Sequence, residues 1–423
     1  MKKKTMAFFA IVLSTAFGLL ITEITFRLAL PPVPGDESSA PEYVAAAQRN
    51  PGAPRLFPAG YTVVFDIRGL YQGAQKVTFH VGPNRFVAPE PKEKSRYNVL
   101  FLGGSVTEGI FLQDHERWPA RLNVDGEVAT YNASMSEAGM LGQYLTAKYL
   151  AEHGYSFDLV VLATDHNDAG WSRRFAGINS RYSFPEFSKG LKQIFEKDFA
   201  TEKKEGWISL RTVAWTRHLI RVARLEASKA SDASSSGSPK ADGSKAPSLV
   251  VETLIYLQNG KQNLPRAKLD ECLDSDSPRR FAQLAYEDWK ENFPEFKREM
   301  KRLLGADLLV VSEPSTYGAP ANSFYFTDLR VPITCTTRDG LRSIEQNESV
   351  DFMRERARAY LEAARMAGAH TFDLADAMQP YSNGPEGGSF FFDSIHPTPR
   401  GADKFAELVR PVIKEVLEGQ KKE

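Results

Sequence analysis

Three short stretches of this chain carry no polar residue at all: residues 99–102 (VLFL), 159–163 (LVVLA) and 308–311 (LLVV). Each is too short for a helix and lacks the alternation of a strand with one wet face. Such runs suit strands of a parallel sheet covered on both sides. Two further short strands are expected within 127–132 and 370–374. Between the strands lie stretches of helical spacing, with apolar Met140, Leu141, Tyr144, Leu145 and Tyr149 in 139–153 and a long amphipathic segment at 350–367. Strands alternating with helices predict an α/β fold, a doubly wound and mainly parallel sheet.

The first apolar run sits inside YNVLFLGGSVTEG, residues 97–109. Gly103 and Gly104 permit a tight turn at the strand end and leave the next residue unobstructed. Ser105 then opens a helix, with its hydroxyl exposed beside backbone N–H groups that suit a developing oxyanion. A plain βα loop with Ser105 capping the next helix fits the same residues. The serine therefore gains meaning only with a partner. Asp393-Ser394-Ile395-His396-Pro397 offers one, because an acid three residues before a histidine can fix its tautomer and stabilise its imidazolium. A helix expected at 401–417 follows directly and can pin that turn.

The N-terminus sets the expected location. Lys2, Lys3 and Lys4 precede an apolar stretch from Met6 to about Ile24, interrupted by small or hydroxyl residues and Glu23. That is roughly the twenty residues needed to cross a bilayer. Lysines on the cytoplasmic side would leave everything after Leu30 exported, as a single-pass anchor in the cytoplasmic membrane with a periplasmic body. A cleaved signal peptide is the rival; the possible site at Ser14-Thr15-Ala16 lies well before the apolar run ends. The expected organisation is an anchor (1–30), a Pro-rich stalk (31–58) and a small antiparallel β lead-in (59–96). The main domain (97–423) follows, with an insertion at about 171–300. Within the insertion, the Ser/Ala/Lys/Gly stretch 228–248 cannot bury a core and is expected to be disordered, whereas 215–227 and 278–304 look like helices of a cap.

Lys plus Arg and Asp plus Glu number 53 each, so nothing favours nucleic acid or another polyanion. Cys272 and Cys335 are the only cysteines, able to pair in an oxidising compartment or to remain free. There is no Cys/His cluster of zinc spacing. His166 beside Asp165 and Asp168 is not expected to bind a metal, since such close neighbours rarely converge without further ligands. No cofactor is implied.

Taken in order, GGSVTEG, Trp118-Pro119, NASMS, DLVVLATDHND and DSIHP resemble the SGNH (GDSL-type) hydrolase superfamily, from about Tyr97 to the C-terminus. The resemblance implies a flavodoxin-like three-layer α/β/α sandwich and ester hydrolysis or acyl transfer through an acyl-serine. It places Ser105 as nucleophile, in GGS rather than the usual GDS, His396 as general base and Asp393 as its orienting acid. The oxyanion hole would comprise the Ser105 N–H, the Asn167 amide and the N–H of Gly139. Two departures stand out. Glu137 falls near the usual place of the second-block glycine, with Gly139 two residues on, and Asp165 and His166 precede the Asn-Asp of the third block. The anchored layout resembles membrane-tethered bacterial members, some of whose relatives move or remove acyl groups on envelope polysaccharides. The implied partners are an acyl-ester small molecule or envelope glycan, together with the membrane. An O-acyltransferase and a non-catalytic envelope-binding protein on the same fold are the alternatives.

Overall fold

The computed structural model describes residues 54, 56–91, 95–124, 126–136, 138–164, 264–274, 277–320, 323–324 and 332–419. All of them fall in one unit, Asn50–Gln193 with Ala246–Glu423. The hairpin β1 (Thr62–Asp66) and β2 (Lys76–His80) is antiparallel, as expected of the lead-in. Then come β3 (Tyr97–Leu102), β4 (Val128–Asn132) and β5 (Leu159–Thr164). Beyond residue 264 follow β6 (Arg266–Ala267), β7 (Asp307–Ser312), β8 (Thr334–Thr337), β9 (Gly340–Ile344) and β10 (His370–Phe372). The principal helices are α1 (Ser105–Glu108), α2 (Met140–Glu152), α3 (Pro278–Leu304), α4 (Gln346–Met366) and α5 (Pro399–Gly419).

The five expected strand regions form one sheet in the order β4-β3-β5-β7-β10, with every neighbouring pair parallel. Counted along the chain that order is 2-1-3-4-5, the flavodoxin-like arrangement, whose ligand site lies where the first and third strands diverge. The missing polar alternation has its cause in the two cores. Leu100, Leu102, Val160, Leu162, Leu308 and Val310 point into a core closed by α2, α3 and α4. Their neighbours Val99, Phe101, Leu159, Val161, Leu309 and Val311 point into another, closed by α5 and Trp118. Burial of each such side chain stabilises the fold by about 1.5–3 kcal/mol.

Three boundaries differ from expectation. The segment 278–304 is no cap helix. Ala285, Trp289, Phe293, Phe296, Met300 and Leu304 recur every three or four residues and are buried in the first core, with Trp289 stacked on Phe293 at 4.8 Å. The insertion therefore ends before Pro278. The stalk ends earlier than residue 58, because Leu56 and Phe57 are buried and the Phe57 ring lies 5.1 Å from that of Phe79. The last strand stops at Phe372, since the Asp373 side chain accepts the Asp376 N–H and starts the short helix Leu374–Ala377.

Cys272 and Cys335 are joined in a disulfide across 63 residues. No helix among the described residues is long and apolar enough to cross a membrane. The expected anchor, the segments 215–227 and 228–248, and Asp165, His166, Asn167 and Asp168 all lie outside the described residues.

Candidate active site

Ser105 stands at the C-terminal end of β3 as the first residue of α1. The turn before it requires a glycine at 103, where a Cβ would come within 2.7 Å of Thr107 Oγ1 and 3.1 Å of the Ala163 carbonyl. The end of β5 thus abuts the serine turn. Gly109, at φ 66°, closes the helical turn by donating its N–H to the Ser105 carbonyl. The N–H groups of Thr107 and Glu108 both bond to the Gly104 carbonyl, while those of Ser105 and Val106 make no hydrogen bond among the described residues. These are the free donors of a helix start, the kind an oxyanion can use.

The expected partners meet there. The Ser105 hydroxyl lies 2.8 Å from His396 Nε2, and His396 Nδ1 lies 2.7 Å from Asp393 Oδ2. A carboxylate accepts only, so Nδ1 carries the ring proton and Nε2 is left to receive one from Ser105. Asp393 Oδ1 accepts the N–H groups of Ile395 at 2.9 Å and His396 at 2.7 Å. Thr316 ties the same turn to the loop after β7, its N–H donating to the Ser394 carbonyl and its hydroxyl to that of Asp393, both at 2.9 Å. The Phe392 N–H donates to the His396 carbonyl, and the Phe392 ring lies nearly parallel to the imidazole at 5.5 Å. The lead-in supports that ring through Tyr71, 6.3 Å away. Burial by itself would lower the His396 pKa; the Asp393 carboxylate, with Glu313 and Glu108 further out, outweighs it and holds the imidazole above its ordinary value.

Glu108 is a further residue of the site that no sequence motif singles out. It is fully buried, and its Oε2 accepts both the N–H and the hydroxyl of Ser136, the latter at 2.6 Å. Burial pushes its carboxyl up to about 7, against the Ser136 hydrogen bonds and the charges of Arg117 and His396. The available signal was an acid three residues after the serine, on the same helical turn. Arg117, equally buried, donates to the carbonyls of Gly109, Ala88 and Leu112 and to the Asp114 carboxylate.

The loop after β4 runs beside the serine turn. Asn132 Nδ2 donates to the Thr107 carbonyl at 3.0 Å, and the Met135 N–H donates to the Gly103 carbonyl at 3.1 Å. The N–H groups of residues 133–136 and of Ala138 are all engaged. That of Gly139, which precedes α2, makes no hydrogen bond among the described residues. Its φ of −88° is open to any residue, so the backbone there does not demand glycine. Glu137 lies outside the described residues, as does Asn167, three residues past the end of β5.

A cleft of about 680 Å³ opens between the lead-in and the residues that follow His396. Its lining includes Gln72, Gln75 and Gln113 together with Thr398, Pro399 and Arg400.

No protein-family model matches the chain, and no curated protein does. Solved structures similar to it include a member of the lipolytic G-D-S-L family from Veillonella parvula. It is 10% identical, with a TM-score of 0.32, covering 75% of this chain and 98% of that one. An acetyl xylan esterase from Geobacillus stearothermophilus is 10% identical, with a TM-score of 0.35 and coverage of 77% and 97%. A phospholipase A1 from Streptomyces albidoflavus is 12% identical, with a TM-score of 0.34 and coverage of 75% and 98%. Likenesses at this identity and score assign neither family nor activity.

Proposed function

We propose that this chain is an SGNH-type serine esterase or acyl hydrolase. One observation carries the proposal: a hydrogen-bonded series Asp393–His396–Ser105, assembled from residues up to 291 positions apart. Many surfaces carry a histidine next to an acid. Few place the free ring nitrogen on a serine that opens a helix with unused N–H donors. In the mechanism, Ser105 Oγ attacks an ester carbonyl as His396 Nε2 takes its proton, and Asp393 stabilises the resulting imidazolium. The tetrahedral oxyanion is met by the Ser105 N–H, with the Gly139 N–H and the Asn167 amide as further donors. His396 returns the proton to the departing alcohol, leaving an acyl-serine. A water deprotonated by the same ring then releases the acid.

The substrate is read as an acyl ester of envelope carbohydrate, handled by a membrane-tethered enzyme on the extracytoplasmic side. Two features support this reading. The Cys272–Cys335 disulfide suits an oxidising compartment. The cleft beside the His396 turn is rich in side-chain amides, which suit hydroxyl-bearing ligands. A sugar hydroxyl in place of water would make the same chemistry an acyl transfer. Turnover of an activated acetyl ester by wild type and Ser105→Ala tests the activity. Acetate release from an acetylated polysaccharide, against acetyl appearing on added sugar, separates hydrolysis from transfer. A reporter at the C-terminus, together with membrane fractionation after a salt wash, tests the location.

A further inference from the structure

Glu108 is a buried acid that the mechanism above does not use. It shares one helical turn with Ser105, and its carboxylate reaches across to Ser136 in the loop after β4, accepting from both the backbone and the side chain. That loop ends at Gly139, whose N–H is unused among the described residues. Glu108 Oε1 is buried and has no hydrogen-bond partner among the described residues. A carboxylate with one oxygen so placed is costly to bury. Glutamine, with an acceptor and no charge, would make the tie to Ser136 at lower cost.

We propose that Glu108 is a positioning residue for the serine chemistry, tying the loop after β4 to the Ser105 turn and setting the electrostatics at His396. The inference rests on the esterase reading of the site. Two arrangements carry it. The tie joins the two segments that would supply the backbone oxyanion donors. Asn132 and Met135 also bond across to the Ser105 turn, but the Ser136 tie stands nearest Gly139 along the chain, so its loss loosens that end of the loop. Glu108 is also among the charges acting on His396, the others being Asp393 and Glu313, while the charge of Arg117, itself paired with Asp114, acts on Glu108. Proton occupancy at Glu108 and at the base is therefore coupled. The loop tie makes that coupling a property of the oxyanion side as well as of the base.

The test compares Glu108→Gln, which keeps an acceptor for Ser136 and drops the charge, with Glu108→Ala, which drops both. Two readouts are taken: the pH profile of kcat and KM on an activated ester, and the NMR titration of the His396 ring. Glu108→Gln should keep the plateau kcat and move both the acid limb and the ring titration to lower pH. Glu108→Ala should lose roughly tenfold or more of the plateau kcat, the scale of a misplaced reacting group, with KM little changed. The inference is overturned if the Glu108→Gln ring titration coincides with that of wild type. It is equally overturned if folded Glu108→Ala keeps its plateau kcat within about twofold. If wild type turns over no ester, the esterase reading fails, while the NMR comparison still decides the electrostatic half.

Discussion

Ser105 is approached from two sides, and they are built differently. The Asp393–His396 side is held redundantly. The Asp393 carboxylate takes two backbone N–H groups besides the imidazole, Thr316 fixes two carbonyls, and Phe392 both lies against the ring and bonds to the His396 carbonyl. The opposite side, the loop after β4, meets the Ser105 turn through fewer contacts, and the one at Ser136 ends on a titratable carboxyl buried in the protein. A base must keep one orientation through a full cycle, and backbone ties that do not titrate secure it. A loop tied to the serine turn through a carboxyl near 7 becomes sensitive to pH in that range.

The largest effects should come from breaking the line itself. Ser105→Ala and His396→Ala should each reduce ester turnover by about 10⁴-fold or more, because the members of such a series act as a unit. Initial rates on purified, folded variants check this. Asp393→Asn should cost less or a similar amount, about 10²–10⁴-fold. It keeps the shape of the turn but can present an N–H to Nδ1 and so favour the wrong tautomer. A separate Asp393→Asn rate, with the fold verified by circular dichroism, places it on that scale.

Smaller effects sharpen the contrast between the sides. Thr316→Val removes one tie from the redundant side and should slow turnover by only about fivefold, the worth of a single hydrogen bond. A loss near a hundredfold would mean that the Asp393–His396 side is not held redundantly. Turnover should fall as the pH drops through the His396 pKa, which is raised from its ordinary value, since only the neutral ring can accept the serine proton. The acid limb of kcat/KM for wild type reads this directly. Last, replacing Cys272 and Cys335 with serine should lower unfolding stability by about 2–4 kcal/mol and leave turnover of a small ester unchanged. Denaturant unfolding checks the first and initial rates the second.

What could be read from the chain follows the same division. Strands with two buried faces announce themselves by composition, as β3, β5 and β7 do. The edge strands β4 and β10 are legible as short segments alternating with helical stretches, and the Gly-Gly turn, whose crowding admits no side chain at 103, as a doublet at a strand end. Asp393 and His396 were legible because their contact is local, three residues along one turn. Two things were hidden. The helix 278–304 reads as part of a cap because its many charged residues mask the apolar stripe that packs on the sheet. Glu108 reads as an ordinary acid in a first helical turn; its partner Ser136 meets it only in the folded chain.

The most direct test of the central claim is labelling with a fluorophosphonate, followed by mass spectrometry of the digested protein. A serine activated by His396 should give one adduct, on the peptide carrying Ser105. The adduct should be absent in Ser105→Ala and form far more slowly in His396→Ala. An unlabelled but folded wild-type protein, or an adduct that persists in Ser105→Ala, would contradict the account.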